Sequence, residues 1–105
     1  MTLDIEGLRR SIADGERPLR ITTHAQVEAF KDGLRLVDLR HVFETGRVIE
    51  EYERGRALVF GWPRTIRLPV HVVVEAAPEE VVLVTAYVPD ESEWIGYSRR
   101  RRPKR

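Results

Sequence analysis

The sequence predicts an α+β domain in which two to three N-terminal helices pack on one face of a four-stranded antiparallel sheet. Three observations carry that expectation. The apolar residues of the first half recur at three-to-four spacing, whereas those of the second half run in short β-branched stretches. Glycine, proline and acidic turn residues separate those stretches into hairpins rather than crossovers. At 105 residues with 42% hydrophobic content, the chain suits one α+β domain and leaves no room for two.

Residues 3–13 place Ile5, Leu8 and Ile12 on one helical face, with Thr2 or Asp4 as N-cap and Gly15 as the stop. After a connector to Pro18, the brief Leu19–Thr22 segment leads to Thr23, which with Gln26 forms a capping box for a second helix running to Asp32. Leu34, Val37, Leu39, Val42 and Phe43 then predict a third helix over 35–44, stopping at Gly46. Four strands follow, over 48–52, 57–60, 69–74 and 81–87. Arg54-Gly55 suits a tight turn between the first two, and the 76–80 segment one between the last two.

Composition excludes several classes. With no cysteine there is neither a disulfide framework nor a nucleophilic thiol, and a reducing, cytoplasmic setting is expected. No leader-like apolar segment opens the chain, and its apolar stretches are far too short to span a bilayer, so no membrane association is expected. Three histidines without paired ligand spacing predict no metal site, and no glycine-rich phosphate loop is present, so no cofactor is expected. The net charge of +1 hides an asymmetry: residues 99–105 hold six of the 18 Lys and Arg, while residues 1–98 hold the other 12 and all 17 acids, a net charge of −5. The expected organisation is a single domain over 1–98 and a disordered basic tail over 99–105 that could meet RNA phosphates.

Ile21-Thr-Thr-His-Ala25, Phe43-Glu-Thr-Gly46 leading into Val48-Ile-Glu-Glu-Tyr52, Leu68-Pro-Val-His-Val-Val73, and Val84-Thr-Ala-Tyr87 with Pro89-Asp90 occur in an order that resembles the bacterial family named domain of unknown function 4258. The resemblance covers about residues 19–95. It implies a layout similar to the mRNA-cleaving toxins of the RelE and barnase-like group, and a toxin-like module with RNA or the ribosome as target and a cognate antitoxin as protein partner. In such domains arginines stand four and eight residues after the first histidine, where this chain has Glu28 and Asp32, which would repel phosphate.

Metal-independent RNA cleavage needs a base, an acid and a cation at the phosphate. His24, in the first turn of the second helix, and His71, within a strand, are the candidate acid/base pair. Pairing Glu75 with Val81 would set His71 opposite Thr85 and diagonal to Tyr87, on one face with Val73 and Leu83, making Thr85 and Tyr87 orienting hydroxyls. Arg47 and Arg56 are candidate phosphate ligands near the hairpin, joined by Arg99, Arg100, Arg101 and Arg102 of the tail. Structural roles compete with these: His24 as a capping-turn residue, His71 as a neutral core histidine, and His41 as a surface residue. Phe30, Phe43, Phe60 and Tyr52 are expected in the core, whereas Trp62 and Trp94, in loops, would form a contact surface. Two functions follow: a toxin-like metal-independent endoribonuclease, or a non-catalytic protein- or RNA-binding module of the same fold. An edge strand could further pair two copies into a homodimer.

Overall fold

The computed structural model describes residues 3–101. Its elements run α1 (Ile5–Ala13), β1 (Leu19–Ile21), α2 (Thr23–Lys31), α3 (Leu36–Thr45), β2 (Arg47–Tyr52), β3 (Arg56–Gly61), β4 (Val70–Ala76), β5 (Val81–Tyr87), β6 (Trp94–Ile95) and β7 (Arg99–Arg100). The fold is α+β as predicted, but the main sheet has five strands in the order β1-β5-β4-β3-β2. The added strand, β1, runs parallel to β5, with Leu19 beside Val81 and Ile21 beside Leu83, so the sheet is mixed and mostly antiparallel. Three residues are too few for a two-residue period to show, and the partner of β1 lies some sixty positions away in the chain.

The helix ends follow local chemistry. Asp4 caps α1 by accepting the Gly7 amide at 2.9 Å, while Thr2 lies outside the described residues. Gly15 and Gly33, at φ 76° and 77°, take the left-handed geometry that stops α1 and α2. The α2 cap is Thr22 rather than Thr23: its hydroxyl accepts the Ala25 amide at 3.0 Å and donates to the Val84 carbonyl at 2.8 Å, tying the helix to β5. The expected Thr23–Gln26 box is therefore displaced, and the Gln26 side-chain Nε2 donates to the Ile21 carbonyl instead. Asp38, fully buried in α3, accepts the Arg35, Arg64 and Thr65 amides and the Thr65 hydroxyl, which fixes the β3–β4 connection. Burial would raise its pKa, but those four donors outweigh it and hold the carboxyl below its ordinary value.

The helices lie on one face of the sheet. Ala25, Ala29, Leu39, Val42 and Phe43 meet Ala57, Val59, Val70, Val72, Val74, Val81, Leu83 and Ala86 there. Where α3 passes into β2, a Cβ on Gly46 would stand 2.6 Å from the Phe60 and Val42 carbonyl oxygens, so only glycine permits this approach. Arg54 and Gly55, at φ 64° and 69°, form the expected tight turn between β2 and β3. No helix among the described residues is long and apolar enough to cross a membrane.

Candidate functional site

Strand alternation sends the complementary set of side chains to the face away from the helices: Leu58 and Phe60 from β3, His71 and Val73 from β4, Thr85 and Tyr87 from β5. The register there differs from the predicted one. Ala76, not Glu75, pairs with Val81, and a bulge between Val73 and Val74 puts His71 opposite Tyr87 and Val73 opposite Thr85. Leu83 consequently belongs to the helix-side core and does not share the face of His71. The shorter reverse turn, closed by the Ala77 amide on the Glu80 carbonyl, accounts for one residue of this shift and the bulge for the other.

Above this face sits the β6–β7 hairpin, whose second strand takes up Arg99 and Arg100 from the start of the expected disordered tail over 99–105. Trp94 pairs with Arg100 and Ile95 with Arg99, and the Arg101 amide donates back to the Glu93 carbonyl. The hairpin is held by side chains. The Trp94 ring lies edge-on to His71 at 4.4 Å between centroids, so this tryptophan is 2% exposed rather than a surface loop residue. The Arg100 guanidinium sits 4.5 Å from the Trp94 ring centroid and donates twice to Glu50, at 2.9 and 3.1 Å. The Tyr52 hydroxyl completes that group, donating to Glu50 at 2.5 Å. Hydrogen bonding to Glu50 raises the Arg100 pKa, while burial, followed by Glu50, raises that of the Tyr52 phenol, so both stay protonated.

His71 is fully buried among Phe60, Tyr87 and Trp94. Its Nε2 stands 2.5 Å from the Tyr97 carbonyl oxygen, which can only accept, so Nε2 carries the proton. Nδ1 faces the Tyr87 hydroxyl at 3.4 Å. Burial lowers the His71 pKa against the opposing pull of the Tyr97 carbonyl and Glu50, and also raises the Tyr87 phenol. The imidazole is thus neutral, with both nitrogens facing the protein. This matches the core-histidine alternative, with Tyr97 as a partner that sequence spacing could not supply.

The residues singled out from sequence fall into separate places. His24 is exposed on α2, in the helical layer, whereas His71 lies on the opposite face of the sheet, so the two imidazoles form no pair. Thr85, Tyr87 and Arg56 do converge, around an open cleft of about 900 Å³ that Tyr52 and Arg54 also line. Arg56 is engaged by Glu75 at 2.6 Å. Arg47 is exposed and lies 5.2 Å over the Phe60 ring, and Trp62 meets the same ring edge-on at 6.3 Å. Arg99 and Arg101 are exposed, Arg100 is taken up by Glu50, and Arg102 lies outside the described residues. His41 is half-buried, with Arg64 Nε 3.4 Å from its Nδ1. Of the aromatics expected in the core, Phe43 is buried there, Phe60 and Tyr52 lie half-buried on the other face, and Phe30 is 77% exposed. The Glu50–Arg100 pair and the role of Trp94 were missed, because a hairpin of two-residue strands leaves no periodic signal.

The sequence profile of the family described as domain of unknown function (DUF4258) matches residues 21–88, a span from the end of β1 through β5. No curated protein and no solved structure matches the chain.

Proposed function

The chain belongs to the DUF4258 family, and from that membership together with the site geometry we propose that it is a non-catalytic module that binds single-stranded RNA on the sheet face away from the helices. The observation that carries this reading is the cluster of Trp62, Phe60 and the Arg47 guanidinium at the Arg47 end of that face. Trp62 is 54% exposed and meets Phe60 edge-on, and the Arg47 guanidinium lies 5.2 Å from the centroid of the same Phe60 ring. An exposed ring offers a base a stacking surface worth about 1–3 kcal/mol, and a neighbouring arginine supplies sequence-independent attraction to phosphate. Exposed Arg99 and Arg101 would extend that attraction.

A binding role is favoured over cleavage by the surroundings of the two histidines. General acid/base work needs groups that reach the substrate and exchange protons with it. His71 is enclosed with its proton committed to the Tyr97 carbonyl, and His24 stands in the other layer. Fluorescence anisotropy with a labelled oligouridylate, read at rising salt, tests the proposal. Binding that weakens with salt and falls about 5- to 100-fold in Trp62→Ala supports it. No binding at low salt, or equal affinity in Trp62→Ala, removes it. Cleavage of the oligonucleotide that survives His24→Ala would replace the binding role with a catalytic one at another group.

A further inference from the structure

The helical layer carries an apolar surface that the RNA reading does not use. Phe30 is 77% exposed, and Val27, Leu36 and Val37 are each about half exposed, on the outer side of α2 and the first turn of α3. Between these two elements runs a groove of about 400 Å³ whose bed is the buried pair Ala29 and Leu34, with Phe30 and Leu36 on its walls and Arg35 among its lining residues. Phenylalanine at this exposure, flanked by three further aliphatic side chains, marks a contact surface rather than an isolated apolar residue.

Charge decides what fits. Glu28 is engaged by Lys31 at 3.1 Å, and Asp32 accepts the Val88 amide at 2.9 Å. Asp38 takes the backbone amide of Arg35, not its guanidinium. Among the described residues no carboxylate pairs with the Arg35 side chain, so the groove presents one unanswered positive charge beside its apolar bed. A second copy docked through the same groove would bring another Arg35 to it, whereas a partner with a carboxylate beside its apolar side chains answers that charge.

We infer that this groove docks an amphipathic helix of another protein, one that lays apolar side chains over Ala29 and Leu34 and offers a carboxylate to Arg35. The mode is that of a helix in a hydrophobic groove, with anchors at i, i+3 or i+4, and i+7. Apolar burial supplies the affinity, and the arginine selects acidic helices over basic ones.

The test uses two synthetic peptides of about 15 residues, long enough to form a helix. They share leucines at the anchor positions and differ in carrying glutamates or lysines beside them. Titration into the isotope-labelled full chain should shift the amide signals of Val27, Phe30, Leu36 and Val37, with the glutamate peptide binding about tenfold tighter. Arg35→Glu should reverse that preference. Phe30→Ser should abolish both interactions while leaving the unfolding midpoint unchanged, since the ring is exposed, and Trp62→Ala should leave peptide binding intact whatever it does to RNA. Equal affinity for both peptides, shifts elsewhere on the surface, or a preference that survives Arg35→Glu overturns the inference. So does a dimer in sedimentation velocity that Phe30→Ser dissolves, because the occupant would then be a second copy.

Discussion

The two faces of the central sheet are covered by different means. On one side aliphatic side chains of the helices join Val59, Val72, Val74 and Leu83 in one continuous buried cluster. On the other side a hairpin spanning Trp94–Arg100 is fastened through a few side chains: Trp94 on His71, Arg100 on Glu50, and the Tyr97 carbonyl on the imidazole. Among the described residues no backbone ladder joins that hairpin to the five-stranded sheet. The helical face should therefore hold most of the global stability, whereas the hairpin face opens locally at lower cost and shows polar and aromatic groups when it does.

The largest expected effect lies on the helical face. Leu83→Ala removes a fully buried side chain between β5 and the helices and should cost about 2–5 kcal/mol in urea unfolding. A loss under about 1 kcal/mol would mean that this core is loose. Trp94→Ala sharpens the contrast: a tryptophan in a rigid core loses about 3–5 kcal/mol, but here the hairpin can detach, so about 2 kcal/mol is expected. Hydrogen exchange of the 94–100 amides should rise in this variant while the β3–β5 amides stay protected. Equal loss of protection in both would erase the distinction between the faces.

Acid should act through the hairpin face. Burial holds the His71 imidazole below its ordinary value of 6.5, so the unfolded chain takes up a proton that the folded chain refuses. That contribution is fully present above about pH 6.5 and is lost as pH falls toward the folded-state value, at up to about 1.4 kcal/mol per pH unit. His71→Gln, which keeps a donor for the Tyr97 carbonyl, should flatten the fall in urea midpoint between pH 7 and 5. An unchanged slope would place the sensitivity elsewhere. The smallest effect is Arg100→Gln, which gives up the twofold contact with Glu50 for about 1.5 kcal/mol and should shift Trp94 emission to the red. An unmoved Trp94 emission would show that the hairpin does not depend on that ion pair.

Much of the helical half was legible because its signals are local. Asp4, Gly15 and Gly33 cap or stop helices through side chains and φ angles that no distant residue has to supply. The order of the Thr-His-Ala, Pro-Val-His and Thr-Ala-Tyr segments likewise pointed to the family that the profile matches. The site was less legible. Thr85, Tyr87 and Arg56 were singled out and do share a cleft, but the His24–His71 pairing assumed a proximity that a two-layer fold does not provide. Phe30 was expected in the core as an aromatic, yet the small residues Ala25 and Ala29 take the inward face of α2.

Sequence alone thus determined the fold class, the helix boundaries to within a residue or two, the β2–β3 turn and the β4–β5 antiparallel pairing, since each rests on periodicity or on a capping or turn residue close by in the chain. Tertiary structure decided the parallel edge strand β1, the bulge that sets His71 against Tyr87, and the hairpin that carries Trp94 and Arg100 over the sheet. The reason is physical: a three-residue strand, a one-residue register shift and an ion pair fifty positions apart gain their energy from partners brought together only by folding, so no local pattern encodes them.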